Sequence, residues 1–312
     1  MENYFLRAQS GPIQTFDKGS KPAIAQTTIK NPIFCRGVGL HSGKDITLKL
    51  LPSKEESGIQ FQRLDLKHSL PFRLTPQSVI GTKLSTVIAS PDFPEARIAT
   101  IEHLMAALHA LEIDNILIQV DGPEIPILDG AALNFLFLLN CAGRQNLKAP
   151  RHFIKILHPL MIKGENGSYA AFKPRKNREF KLKIGIKFDN DLIGQQYIKF
   201  ILQKETFTQE IAFARTFVDF KDIEALKKQG LALGGSLKNA LVFKDKTILN
   251  PGGLHTQDEF VRHKLLDAIG DSYCFGYQII GKFEGFKSGH TLNNRLLKAL
   301  ATHKETWRLI SE

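Results

Sequence analysis

From residue 27 the chain alternates apolar and polar positions in short runs. DITLKLLP (45–52) and GIQFQRLDL (58–66) have the two-residue period of half-buried strands. ARIATIEHLMAALHALEI (96–113) changes to helical spacing, with Ile101, Leu104, Met105, Leu108 and Leu111 forming one stripe. NILIQVDG (115–122) returns to a strand, and AALNFLFLLNCAG (131–143) predicts a very apolar helix stopped at Gly143. RQNLKAP (144–150) reads as a linker. The order then repeats. Strands are expected at 153–164, 168–174 and 180–188, a helix at 261–275, a strand at 278–288 and a last helix at 290–307.

Both halves run strands, helix, strand, helix. This predicts an α+β fold of two similar domains, each a mostly antiparallel sheet packed on helices, with the helices of the two domains facing each other. Residues 1–25 lack periodicity and read as a flexible, polar N-terminal extension. Domain I is expected over 26–148 and domain II over 149–312. A cleft between two such domains is a common place for a ligand.

One helix has a face that packing does not explain. In FVRHKLLDAIGD (260–271), His263, Lys264, Asp267 and Asp271 fall within an arc of roughly 100°. Val261, Leu265, Ala268 and Ile269 occupy a different arc and suit a core, with Arg262 the exception on that side. His263 and Asp267, at i and i+4, can reach one point beside the helix. Imidazole and carboxylate together suit Zn²⁺. Adding His103 from TIEHLMAA gives three protein ligands and one open position, the catalytic rather than the closed arrangement. Its neighbour Glu102 could then serve as general base for a water made acidic by the metal. His290, just before the last helix, suits a protonated donor to a leaving group or oxyanion, and Asp271 could fix a histidine tautomer. Spacing by itself leaves the bland readings ahead: an i, i+4 His–Asp pair is more often a surface hydrogen bond, and an isolated Glu–His pair on a helix is mostly structural.

Composition narrows the classes. The 312 residues are 43% hydrophobic, enough for a substantial core, with no apolar run of membrane-spanning length and no secretory leader pattern. Cys35, Cys141 and Cys274 are odd in number and far apart, which argues against a disulfide framework or a CxxC metal site and places the chain in a reducing cytoplasm. The net charge of +11 points to an anionic partner. A nucleic-acid-binding module is one reading of that charge, but no RNA-binding motif or basic-aromatic platform accompanies it.

TIKNPIFCRGVGLHSGK, TIEHLMAALHALEIDNILIQVDGPEIPILDG, ARTF, GLALGGSLKNALVF, FVRHKLLDAIGD and FKSGHTLNNRLL, collinear over about residues 26–308, together resemble the UDP-3-O-acyl-N-acetylglucosamine deacetylase family. The resemblance implies two α+β domains with facing helices. It implies zinc-dependent removal of acetate from the 2-amino group of UDP-3-O-(hydroxyacyl)-N-acetylglucosamine, a committed early step of lipid A, and hence lipopolysaccharide, biosynthesis in Gram-negative bacteria. By motif, His103, His263 and Asp267 match the zinc ligands and Glu102 the general base. His290 matches the acid or electrostatic catalyst, Asp271 its partner, and Thr216 the residue that helps hold the oxyanion. Phe217, Lys264 and Lys287 match substrate-contacting positions, Lys287 near the diphosphate. A βαβ insert in the second domain, forming the passage for the fatty chain, is expected near 188–241. The implied cofactor is one catalytic Zn²⁺, with Fe²⁺ an alternative in the cell. The implied partner is the acylated UDP-sugar rather than nucleic acid, for a cytoplasmic monomer with at most a transient contact to the inner-membrane surface. The chain departs from many relatives at Ser85, where they carry a cysteine beside the metal pocket. A catalytically dead homologue is argued against by the intact set Glu102, His103, His263, Asp267 and His290.

Overall fold

The computed structural model describes residues 24–311. Most of the expected N-terminal extension lies outside the described residues, and Ala25 already opens a strand, Ala25–Ile29.

Six α-helices are present among the described residues: α1 (Glu102–Ala110), α2 (Leu133–Ala142), α3 (Lys204–Glu210), α4 (Phe220–Lys228), α5 (Glu259–Tyr273) and α6 (His290–Thr302). The first half holds a five-stranded sheet in the order Ile33–Val38, Asp45–Pro52, Ile116–Val120, Ile59–Arg63, Phe72–Arg73. Strand alternation decides its faces: Ile46, Leu48 and Leu50 point into the core while their neighbours stay at least partly exposed. The second half holds a seven-stranded sheet arranged around Gln278–Phe286. Most pairings are antiparallel. In each half, however, the strand between its two long helices is internal and has a parallel neighbour: Ile116–Val120 pairs with Ile59–Arg63, and Gln278–Phe286 with both His152–Ile156 and Phe180–Lys187. The halves are thus similar α+β units.

The helices of the two halves meet along α1 and α5. All nine residues of α1 are buried. Gly270 permits the contact, because a Cβ there would overlap the carbonyl oxygen of Glu102. A glycine inside a helix costs about 1 kcal/mol of helix propensity. Here it lets the start of α1 approach the C-terminal part of α5, which sets the site.

Several boundaries differ from the sequence expectation. Arg144–Pro150 is a strand, antiparallel to Ala25–Ile29, rather than an open linker. Its side chains are mostly exposed, so no period-two burial pattern marks it, and its partner is more than a hundred residues away in sequence. The expected division at 148/149 falls inside this strand. The single strand expected at 153–164 breaks into His152–Ile156 and Leu160–Lys163 around Pro159, which has no N–H for a ladder. The last helix stops at Thr302, and Trp307–Ser311 is a strand on the edge of the second sheet. The βαβ unit is narrower than 188–241. It consists of Phe217–Asp219 and Leu241–Lys244 as a parallel pair joined through α4, whereas Gln195–Ile201 belongs to the main sheet.

Candidate active site

The approach of α1 to α5 brings three buried ligand groups together. His103 Nε2 lies 3.7 Å and His263 Nε2 3.4 Å from the same oxygen, Asp267 Oδ1. One ligand atom from each residue lies within 4.8 Å of the others. Asp267 Oδ2 is taken by Lys264 Nζ at 2.9 Å, while Oδ1 is buried without a hydrogen-bond donor. An orphaned buried carboxylate oxygen is costly. A cation facing it and two imidazole nitrogens removes that cost, so these residues fit a metal ion. His263 Nδ1 donates to the carbonyl of Ala214 at 3.0 Å, which fixes the tautomer and leaves Nε2 as a lone-pair donor. Burial pushes His263 down to about 3, so it is neutral, as a ligand must be. Burial works to raise Asp267, yet the charges of Lys264 and His290 hold its carboxyl well below the usual range.

Beside these donors sits a second cluster. Glu102, the first residue of α1, is buried, and its Oε2 accepts from the backbone N–H of Thr86 at 3.0 Å. Its Oε1 faces His290 Nε2 at 3.9 Å. Burial pushes the Glu102 carboxyl up, against the pull of His290 and His103. His290 opens α6, and its Nδ1 donates to Asp271 Oδ2 at 2.9 Å. Burial disfavours the charged ring, but the carboxylates of Asp271, Asp267 and Glu102 outweigh it and raise His290 to about 10. Asp271 is completed by Asn293 Nδ2 at 2.9 Å and by Thr86 Oγ1.

A cavity of about 440 Å³ opens onto this cluster. His290, Lys264, Thr216 and Phe217 line one end, and Phe220, Ile223 and Leu226 of α4 form an apolar wall. The Phe217 ring packs edge-on to His263 at 5.9 Å, and Lys264 Nζ lies 5.4 Å from its centre. Of the residues singled out in the sequence, Glu102, His103, His263, Asp267, Asp271 and His290 therefore converge, with Thr216, Phe217 and Lys264 on the adjoining wall. Lys287 does not reach the cavity lining: it sits in the turn before α6, with Nζ donating to the Asn166 carbonyl at 3.3 Å. Ser85 is buried next to Thr86.

Sequence reasoning missed Thr86, Asn293 and the Ala214 carbonyl. Asn293 had a signal, since it lies three residues after His290 on the same helix face. Thr86 and Ala214 act from loops, where no spacing rule points to them.

A carboxylate beside a two-histidine, one-aspartate donor set, with a His–Asp pair opposite, is the equipment of a metal-dependent hydrolase on a two-part α+β scaffold. Comparison with known proteins makes this specific. The chain belongs to the UDP-3-O-acyl N-acetylglycosamine deacetylase family, LpxC, whose family model matches residues 26–302. It is 46% identical over 290 residues to the UDP-3-O-acyl-N-acetylglucosamine deacetylase of Histophilus somni, covering 92% of this chain and 93% of that one. The proteins of the same name from Haemophilus influenzae strain 86-028NP and Acidithiobacillus ferrooxidans are 46% and 42% identical over the same shares of each chain.

Proposed function

We propose that this protein hydrolyses the acetamide of UDP-3-O-(hydroxyacyl)-N-acetylglucosamine, releasing acetate and the free 2-amine, as an early step of lipid A biosynthesis in a Gram-negative cytoplasm. Family membership supports the substrate class. The observation that carries the chemistry is the convergence of two imidazole nitrogens on the orphaned Asp267 Oδ1, with the Glu102 carboxyl alongside.

His103, His263 and Asp267 would hold one divalent ion, Zn²⁺ by donor type, although two histidines and an aspartate also accept Fe²⁺. Such an ion, when bound, polarises a carbonyl and makes a neighbouring water more acidic. The protein's own groups do the rest. Glu102, its carboxylate made more basic by burial, takes a proton from the attacking water as the water oxygen bonds to the acetyl carbon. The C–N bond then breaks, and the departing amine nitrogen takes a proton from His290 Nε2. Asp271 holds the His290 ring so that Nε2 faces the site. Thr216 helps hold the developing oxyanion. Phe217 and Lys264 contact the substrate, and Lys287 contacts it near the diphosphate.

The apolar wall of α4 suits the fatty chain. None of its side chains is buried, yet Phe220, Ile223 and Leu226 face the cavity and Lys227 and Lys228 close its last turn. Leu84, Phe220 and Leu237 on the cavity lining remain about half exposed, which supports transient contact with the inner-membrane surface during substrate uptake. No helix among the described residues is long and apolar enough to cross a membrane. The reading takes the chain as a monomer of two domains, 26–148 supplying Glu102 and His103, and 149–312 supplying His263, Asp267 and His290.

The test is acetate release from the acylated UDP-sugar with and without a chelator. Release abolished by chelation and restored by Zn²⁺ is expected. No release from protein that demonstrably binds zinc would retain the metal site and overturn the substrate.

A further inference from the structure

Within the second cluster, Thr86 joins Glu102 to the His290–Asp271 pair. It is fully buried. Its backbone N–H donates to Glu102 Oε2 at 3.0 Å, and its carbonyl accepts from the N–H of Ile101 at 3.5 Å. Its hydroxyl donates to Asp271 Oδ1 at 2.6 Å and accepts from Asn294 Nδ2 at 3.3 Å. A hydroxyl has one proton, and an ionised carboxylate only accepts, so the direction of the 2.6 Å bond is fixed. The 3.4 Å approach to His290 Nδ1 is then a contact between neighbours on one carboxylate, since Nδ1–H already serves Asp271 Oδ2.

This arrangement assigns every carboxylate oxygen. Asp271 is gripped on Oδ1 by Thr86 and on Oδ2 by His290 and Asn293, so its plane, and with it the His290 ring, has one orientation. Glu102 has Oε2 tied to the same residue, which leaves Oε1 facing His290 Nε2. Taking the deacetylase reading as its basis, we propose that Thr86 is a positioning residue that sets the base and the acid relative to each other, with its hydroxyl as the working group. Valine has nearly the same shape and suits a buried site, so packing alone does not require threonine here.

The test compares Thr86→Val and Thr86→Ser with wild type in steady-state deacetylation of the acylated UDP-sugar, together with metal content and thermal midpoint. Thr86→Val is expected to lower kcat by about 10–100-fold, the usual scale for an outer hydrogen-bond partner, with KM and the metal-to-protein ratio unchanged. Thr86→Ser is expected to restore most of kcat. If Thr86→Val proves insoluble, Thr86→Ala removes the hydroxyl with no added bulk and carries the same expectation. Wild-type kcat in a hydroxyl-less variant, equal impairment in Thr86→Ser, or loss of metal from Thr86→Val would each overturn the role. An inactive wild type would instead refute the deacetylase reading itself, and this role with it.

Discussion

Helix α1 carries a buried histidine near each end, and the two serve different purposes. His103 turns Nε2 toward Asp267 Oδ1 and packs edge-on to His263, with ring centres 5.1 Å apart. His109 donates Nδ1–H to the Ile269 carbonyl at 3.0 Å and is stacked on Tyr273 at 4.3 Å and on Phe180 at 5.4 Å. Residue type, helix and burial are the same. What differs is the stretch of α5 opposite: Asp267 at one end, an aromatic ring and a backbone carbonyl at the other. The only cluster of potential metal donors among the described residues includes His103 and not His109. A histidine becomes a ligand through the carboxylate and second imidazole that face it, not through burial.

The largest expected effect separates the two directly. His103→Ala should lose bound metal and turnover together, whereas His109→Phe, which keeps an aromatic ring in the stack, should keep both. Metal content by elemental analysis and acetate release would show it, and equal losses in the two variants would erase the distinction. Next in size is Glu102→Ala, expected to lower kcat by about 10²–10⁴-fold, the range for a general base, with metal retained. Normal activity in that variant would remove Glu102 from the mechanism.

The third expectation concerns acid stability. Burial pushes His109 down to about 4 from the ordinary 6.5. The folded state therefore binds fewer protons at this site than the unfolded chain between those values. The favourable contribution is complete above about pH 6.5 and is lost as pH falls toward 4, by about 3 kcal/mol in all. Urea unfolding at pH 7 and pH 4 should show wild type losing that much more than His109→Phe. Parallel losses would contradict the assignment. The smallest effect has an informative sign. Glycine to alanine inside a helix ordinarily stabilises by about 1 kcal/mol. Gly270→Ala should destabilise by about 1–3 kcal/mol through overpacking against Glu102. A higher unfolding midpoint would mean that the helices are not in close contact there.

The same contrast explains what the sequence could reveal. α5 was legible, because its apolar arc and its His263–Asp267–Asp271 arc share the helical period but differ in chemistry. α1 was legible as a helix from its apolar stripe but not as a site, since all its residues are buried and no polar face stands out. His103 gained meaning only beside α5, and His109 was passed over. Edge elements were the least readable: Arg144–Pro150 looked like a linker because its partner strand lies far away in sequence, and of the strand Trp307–Ser311 only Trp307 was read, as the end of the last helix. Thr86 was invisible for another reason. Its role rests on a backbone N–H and one hydroxyl aimed at residues 16 and 185 positions away, and neither leaves a periodic trace.

The most direct measurement is anomalous diffraction at the zinc edge from crystals of the zinc-loaded protein. One peak is predicted, at roughly 2.0–2.2 Å from His103 Nε2, His263 Nε2 and Asp267 Oδ1. A peak elsewhere, or none in crystals of protein that releases acetate in a chelator-sensitive way, would contradict the assignment of these three residues as the metal site.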